Sequence, residues 1–209
     1  MADNDAGLEA AAAAIREGGL VGCPTDTLYG LAADIHNPSA VAAVLAAKGR
    51  AAAMGIPVLI ADYGDLERVA AEIPPEARLL AERFWPGALT LVLKRAPGLS
   101  DALTGGPTVA VRAPNHPTPR ALGRLAGRPI TGTSANLHGG APPADADEVE
   151  RQLGAALAVL LDGGPAPAAQ PSTIIDLTRT PARLLRRGAV PIEALRAVVE
   201  VADLVEAGR

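Results

Sequence analysis

Four short stretches of the chain carry side chains able to do chemistry on a small polar substrate. The first, Pro24-Thr25-Asp26-Thr27-Leu28-Tyr29-Gly30-Leu31, sets two hydroxyls and a carboxylate just after a short apolar run. Each hydroxyl both donates and accepts, so the group can hold a polar ligand at a strand end, where open α/β sheets bind theirs. The same residue types also build an ordinary turn held by side-chain-to-backbone bonds. The second stretch, Lys48-Gly49-Arg50, places two cations around a glycine. Arginine can grip a phosphate through parallel hydrogen bonds and lysine as a point charge, and a helix C-terminus attracts the same two cations without a ligand.

The third stretch is Thr108-Val109-Ala110-Val111-Arg112. Read as a strand, its period of two puts Val109 and Val111 on one face and Thr108, Ala110 and Arg112 on the other. Arg112 there can clamp a carboxylate or extend along a solvated face. In the fourth, Thr131-Gly132-Thr133-Ser134-Ala135-Asn136, followed by Gly139-Gly140, short side chains leave backbone N–H groups able to face an anion, or simply cap a turn. Ser172 and Arg186 form a fainter pair of the same kind.

Other chemistries are absent. There is no G-x-x-x-x-G-K-[ST] loop and no G-x-G-x-x-G fingerprint. The single cysteine, Cys23, lies in an apolar run, which suits a core residue better than a nucleophile, and the three histidines are too scattered for a zinc site.

The elements that must position these groups alternate in type. A helix is predicted over 7–17, ending at Gly18-Gly19, then a buried strand over 20–23. Asn37-Pro38 opens a helix through Ala47. Strands follow at 56–61, 88–94 and 108–112, with two short helices over 65–84 split at Pro74-Pro75. Helices near 117–125 and 145–153 precede apolar runs at 129–132 and 156–161, strands follow at 172–177 and 183–187, and a last helix runs from Pro191 onward. Interleaved helices and strands predict an α/β fold.

A length of 209 residues suits one domain, 1–209, with a core built from Ala, Val, Leu and Ile because only 2% of residues are aromatic. The 22 glycines and 19 prolines punctuate apolar runs and mark many turns. The N-terminus is acidic where a secretory leader is basic, and no apolar run approaches the ~18 residues of a spanning helix. A cytoplasmic protein without a membrane partner is expected. The formal charge of −4 gives no electrostatic reason to bind DNA, or RNA nonspecifically.

Taken in order, PTDTLYGL (24–31), Lys48-x-Arg50, FWPGALTLVL (84–93), VAVRAP (109–114), the SAN turn (134–136), PSTIID (171–176) and LLRRG (184–188) resemble the YrdC/Sua5 family of threonylcarbamoyl-AMP synthases over about residues 8–195. It is the ordered set that is specific. The resemblance is to the short form without an additional C-terminal domain. It implies a twisted open mixed α/β sheet flanked by helices, with a concave ligand-binding face. It further implies a nucleotidyltransferase in which bicarbonate and L-threonine form an N-carboxy-threonine that attacks the α-phosphate of ATP. Pyrophosphate leaves, and a separate transferase passes the threonylcarbamoyl group to the adenosine beside the anticodon of tRNA.

By the same resemblance Thr27, Arg112 and Ser172 contact threonine, with Arg112 on the carboxylate. Lys48, Arg50, Thr108, Ser134, Asn136 and Arg186 contact ATP, Lys48 and Arg50 supplying the catalytic charge, and Mg²⁺ accompanies the nucleotide. Family members often read K-x-R-P-x-x-K/N-P, whereas this chain has Ala51 and Met54, and Met54 cannot donate a hydrogen bond to phosphate. A weakly active paralogue, or an RNA-binding or ribosome-assembly module on the same fold, is the alternative expectation.

Overall fold

The apolar run after the first helix becomes strand β1 (Val21–Cys23), every residue of it buried, in a computed structural model that describes residues 1–49, 55–167 and 170–202. Helix α1 (Asp5–Arg16) precedes it; the Asn4 side chain accepts from the Gly7 N–H, and Ala11, Ala12 and Ile15 face inward. Strand β2 (Gly30–Ala32) returns antiparallel to β1, pairing Cys23 with Gly30 and Val21 with Ala32. The polar stretch 24–29 is therefore the connection of a hairpin. β2 is not among the expected elements, because Gly30-Leu31-Ala32-Ala33 is apolar throughout and shows no alternation.

Helix α2 (Pro38–Lys48) starts where expected, with the Asn37 side chain accepting from the Ser39 and Ala40 N–H groups, and stops at Gly49 in the left-handed region (φ 61°). After it come β3 (Val58–Leu59), a 3-10 turn (Tyr63–Arg68), α3 (Pro75–Phe84), β4 (Leu89–Lys94), α4 (Asp101–Thr104) and β5 (Thr108–Arg112). The chain continues through α5 (Pro117–Ala126), β6 (Ile130–Thr131), β7 (Thr133–Ser134), α6 (Ala146–Leu153), β8 (Val159–Leu160), β9 (Thr173–Asp176), β10 (Ala182–Arg186), α7 (Ile192–Arg196) and β11 (Val201–Ala202). The last helix stops at Arg196, and β11 then pairs parallel with β10. Val199 and Val201 are buried, so an apolar run that suits either element is settled by sheet pairing.

The mixed α/β architecture holds, but the strands form two mixed sheets where one open sheet is expected. The larger has the order β11-β10-β9-β4-β5-β3-β6 and the smaller β7-β2-β1-β8. The run expected as a single strand at 129–132 turns the corner between them: β6 pairs with β3 in the larger sheet, β7 pairs with β2 in the smaller, and Gly132 lies at the change, its N–H bonded to the Pro57 carbonyl. Leu89, Leu91 and Leu93 of β4 and Val109 and Val111 of β5 fill the main core. A second cluster holds α1 and α5 against β1 through Ile15, Leu122 and Val21. Among the described residues no helix is long and apolar enough to cross a membrane.

Two polar contacts fix the ends of helices. His116 Nδ1 accepts from the Thr118 N–H at 3.3 Å, capping α5. Lys48, only 4% exposed, sends its ammonium from the end of α2 to the main-chain carbonyls of Ser134 at 2.5 Å and Asn136 at 2.8 Å.

Burial holds the His116 pKa below its ordinary value of 6.5, outweighing Asp3 and Asp26, which act upward. The neutral form is thus favoured on folding, and the unfolded chain binds more protons below about pH 6.5. The contribution of His116 to stability is complete above that pH and is lost as the pH drops toward the folded value. His116→Asn, which keeps a cap, is expected to flatten that fall in urea-unfolding midpoints; an unaltered slope would assign it to other groups. Lys48→Met leaves buried carbonyls unpaired and is expected to lower the unfolding free energy by about 1–3 kcal/mol, measured by the same titration at neutral pH.

Candidate active site

Between the two sheets lies an open cavity of about 500 Å³, within the range of roughly 300–1,000 Å³ usual for small-molecule sites. Strand β4 shows why there is room. Its leucines point into the core, while Thr90 and Val92 face the cavity, as does Ala110 on the neighbouring β5. Small side chains on one face of the larger sheet leave a hollow. The β1–β2 connection and β7 of the smaller sheet cover it.

Arg112 ends the row. It is 7% exposed, and its guanidinium is held from three directions: Nε donates to the Gly87 carbonyl at 2.9 Å, Nη1 to Thr27 Oγ1 at 3.2 Å and Nη2 to Asp26 Oδ1 at 2.5 Å. These use three of its five N–H donors. Thr27 is held in turn by Thr25, whose Oγ1 lies 3.1 Å from Thr27 Oγ1 and donates to the Leu28 carbonyl. The turn alternative and the site alternative are thus the same object: the threonine turn carries Thr27 to the arginine.

Arg186 reaches the cavity from β10 by an irregularity. The register between β9 and β10 shifts between Leu184 and Arg186, so that Leu184 stays in the core while Leu185 and Arg186 both line the cavity. Arg186 Nη2 donates to Ser172 Oγ at 3.0 Å, and Nε and Nη2 both reach the Ser172 carbonyl. Ser172 Oγ lies 2.8 Å from Thr90 Oγ1. Burial, and next the charge of Arg112, hold the Arg186 pKa below its ordinary value. A guanidinium remains charged at neutral pH even so, so two arginines, one of them neutralised by Asp26, face one hollow.

The structure therefore brings Thr27, Arg112, Ser134, Ser172 and Arg186 to one cavity from stretches far apart in the chain. Thr108 shares the face of Ala110 and Arg112 but sits further along β5, opposite Lys94, and is not among the lining residues. Asn136 and Lys48 stand behind the wall. Asn136 is buried, with its Oδ1 accepting from Ser134 Oγ and its Nδ2 donating to the Leu137 and Gly140 carbonyls. Lys48 braces that turn from below, as described above. Arg50, and with it Ala51 and Met54, lies outside the described residues. Tyr29 closes one side, its hydroxyl donating to the Gly164 carbonyl at 2.7 Å. Cys23 is wholly buried and its thiol is pushed up to about 12, first by burial and then by Asp3, which leaves it in the core role expected for it.

Two participants lie outside the expected site, and a third is expected there without its partner. Thr90 and Leu185 look like ordinary strand residues, and only their facing side reveals them. Asp26 belongs to the first stretch, but its pairing with Arg112 joins positions 86 apart. Among the described residues no group of three or more His, Cys, Asp or Glu could hold a metal ion.

Comparison with known proteins gives this geometry its relatives. The family model Sua5/YciO/YrdC, described as telomere recombination, matches residues 13–188. A Pyrococcus abyssi threonylcarbamoyl-AMP synthase is 44% identical over 190 residues, 90% of this chain and 56% of its own length. A Mycobacterium tuberculosis relative is 44% identical over 196 residues, 93% of this chain and 90% of its own. The crystal structure of P. abyssi Sua5 complexed with L-threonine superposes with a TM-score of 0.88 at 42% identity, covering 93% of this chain and 58% of that one. This chain thus spans little more than half of the Pyrococcus protein. Escherichia coli YciO, at 24% identity and a TM-score of 0.79, shares the fold. With the match running from the helix before β1 to the end of β10, the chain belongs to the Sua5/YciO/YrdC family.

Proposed function

We propose that this protein is a threonylcarbamoyl-AMP synthase: it joins L-threonine, bicarbonate and ATP into L-threonylcarbamoyl-AMP and releases pyrophosphate. The observation that carries the reading is a single cavity bearing two guanidinium groups, Arg112 and Arg186, with hydroxyls between them. Two separate anionic ends, a carboxylate and a phosphate chain, fit that arrangement. The named relatives support it, and the Pyrococcus Sua5 structure holds threonine.

In this reading Arg112 takes the threonine carboxylate through its remaining donors. Thr27 and Ser172 add hydroxyls beside it. Arg186 and Ser134 take the nucleotide side, with Thr108 further along β5 on the same face; Arg50 is assigned to ATP by the family resemblance alone. Lys48 and Asn136 act through the turn that carries Ser134. The carbamate oxygen of N-carboxy-threonine attacks the α-phosphorus, a new P–O bond forms, and the bond to pyrophosphate breaks. Catalysis comes from holding the two reactants together and from cations aimed at the charge on the phosphoryl oxygens. Mg²⁺ would enter with the nucleotide, since the ion needs few protein ligands and keeps several waters, and would neutralise phosphate charge. The product then serves a tRNA-modifying transferase in the cytoplasm.

Pyrophosphate release from ATP is expected to require both threonine and bicarbonate, with the adduct seen by mass spectrometry. Release without threonine would refute the substrate assignment. Arg112→Lys keeps the charge but loses the planar fork. It is expected to raise the threonine KM by about 10- to 100-fold, with a smaller effect on the ATP KM, as read from steady-state kinetics.

A further inference from the structure

We propose that Thr90 is a positioning residue: by donating to Ser172 it turns the Ser172 hydroxyl proton into the cavity, where the amino acid's carboxylate takes it. The inference rests on the synthase reading above. Thr90 stands between Leu89 and Leu91 on β4, and the alternation that sends both leucines into the core brings it to the cavity face. It is 2% exposed, a position that a valine of the same shape would fill without a polar group to satisfy. β4 runs parallel to β9 and pairs Thr90 with Ile174. Ser172, two residues before Ile174, lines the same cavity, and its Oγ stands 2.8 Å from Thr90 Oγ1.

Counting protons gives that bond its direction. Ser172 Oγ has one proton and two lone pairs. One lone pair takes Arg186 Nη2 at 3.0 Å, since a guanidinium can only donate. If Ser172 donated to Thr90, the Thr90 proton would be stranded on the more buried of the two residues, with no second acceptor among the described residues. A buried donor left unpaired is the costlier arrangement. If Thr90 donates, both lone pairs of Ser172 are filled, and its own proton is left over at the cavity on a residue that is 6% exposed. That proton lies beside one cation, Arg186, and near a second, Arg112, whose charge acts on Arg186. An anion drawn to the two arginines then meets a hydroxyl already turned to donate, and a fixed donor costs less to use than one that must first leave another partner. Thr90 thus acts through Ser172 and does not touch the ligand.

The test reads the threonine KM from pyrophosphate release, a quantity independent of the folded fraction of a preparation. Thr90→Val keeps the shape and removes the hydroxyl. It is expected to raise the threonine KM by about 5-fold, the worth of one neutral hydrogen bond, and the ATP KM by less than about 2-fold. Thr90→Ser restores the donor and is expected to bring the threonine KM back to within about 2-fold of its original value. In a Ser172→Ala background, where the coupling is gone, Thr90→Val is expected to add less than about 2-fold. An unchanged threonine KM in Thr90→Val overturns the inference, as does an equal rise in Thr90→Ser. A full rise in the Ser172→Ala background overturns it too, because Thr90 would then touch the ligand itself. Release that ignores threonine in the unmodified protein refutes the synthase reading, and this inference with it.

Discussion

The guanidinium of Arg112 is the joint on which the site depends. It ends a strand of the larger sheet, yet its Nη atoms bond to Asp26 and Thr27, which belong to the hairpin connection of the smaller one. A buried cation needs partners, and removing any one leaves charge or donors stranded at low dielectric. The partners here come from both sides of the hollow, since Gly87, which takes Nε, lies just before β4. The interaction that satisfies the arginine therefore also sets how far apart the two sheets stand at that end.

A second constraint is the division of labour within each strand. On β4 and β5 the three leucines, Val109 and Val111 face the core, while Thr90, Val92, Ala110 and Arg112 face the cavity. Period-two alternation makes both possible in one strand, so packing and binding do not compete for the same positions. Where regular alternation would not serve, the backbone departs from it. The shift in β10 turns Leu185 and Arg186 to the cavity together, and Gly132 lets the chain pass from one sheet to the other while leaving space for Leu59.

Most of the fold was legible, for reasons seen in particular residues. Asn37-Pro38 and Gly49 bracket α2 as capping chemistry requires, and the alternation of 108–112 has the two faces expected of it. Less legible were β2 and β11, short apolar runs whose strand character comes only from a neighbour. The division into two sheets was not legible either, because a strand that changes sheets at a glycine looks like one continuous run. In the site, hydroxyls and cations were readable as types. The difference between Ser134, which faces the cavity, and Lys48, whose amine turns to carbonyls behind it, was not.

By itself the sequence determined the order and kind of the elements, the small, hydroxyl-rich and cationic stretches at their ends, and the family to which their succession belongs. These follow from local chemistry: caps, turns and alternation act within a few residues. Only the tertiary structure decided which of those stretches meet, that Ser172 stands between Arg186 and Thr90 and bonds to both, and that Asp26 answers Arg112. Such contacts join residues far apart in the chain, and no local preference encodes them; they exist because two sheets closing on one another leave a hollow that these side chains line.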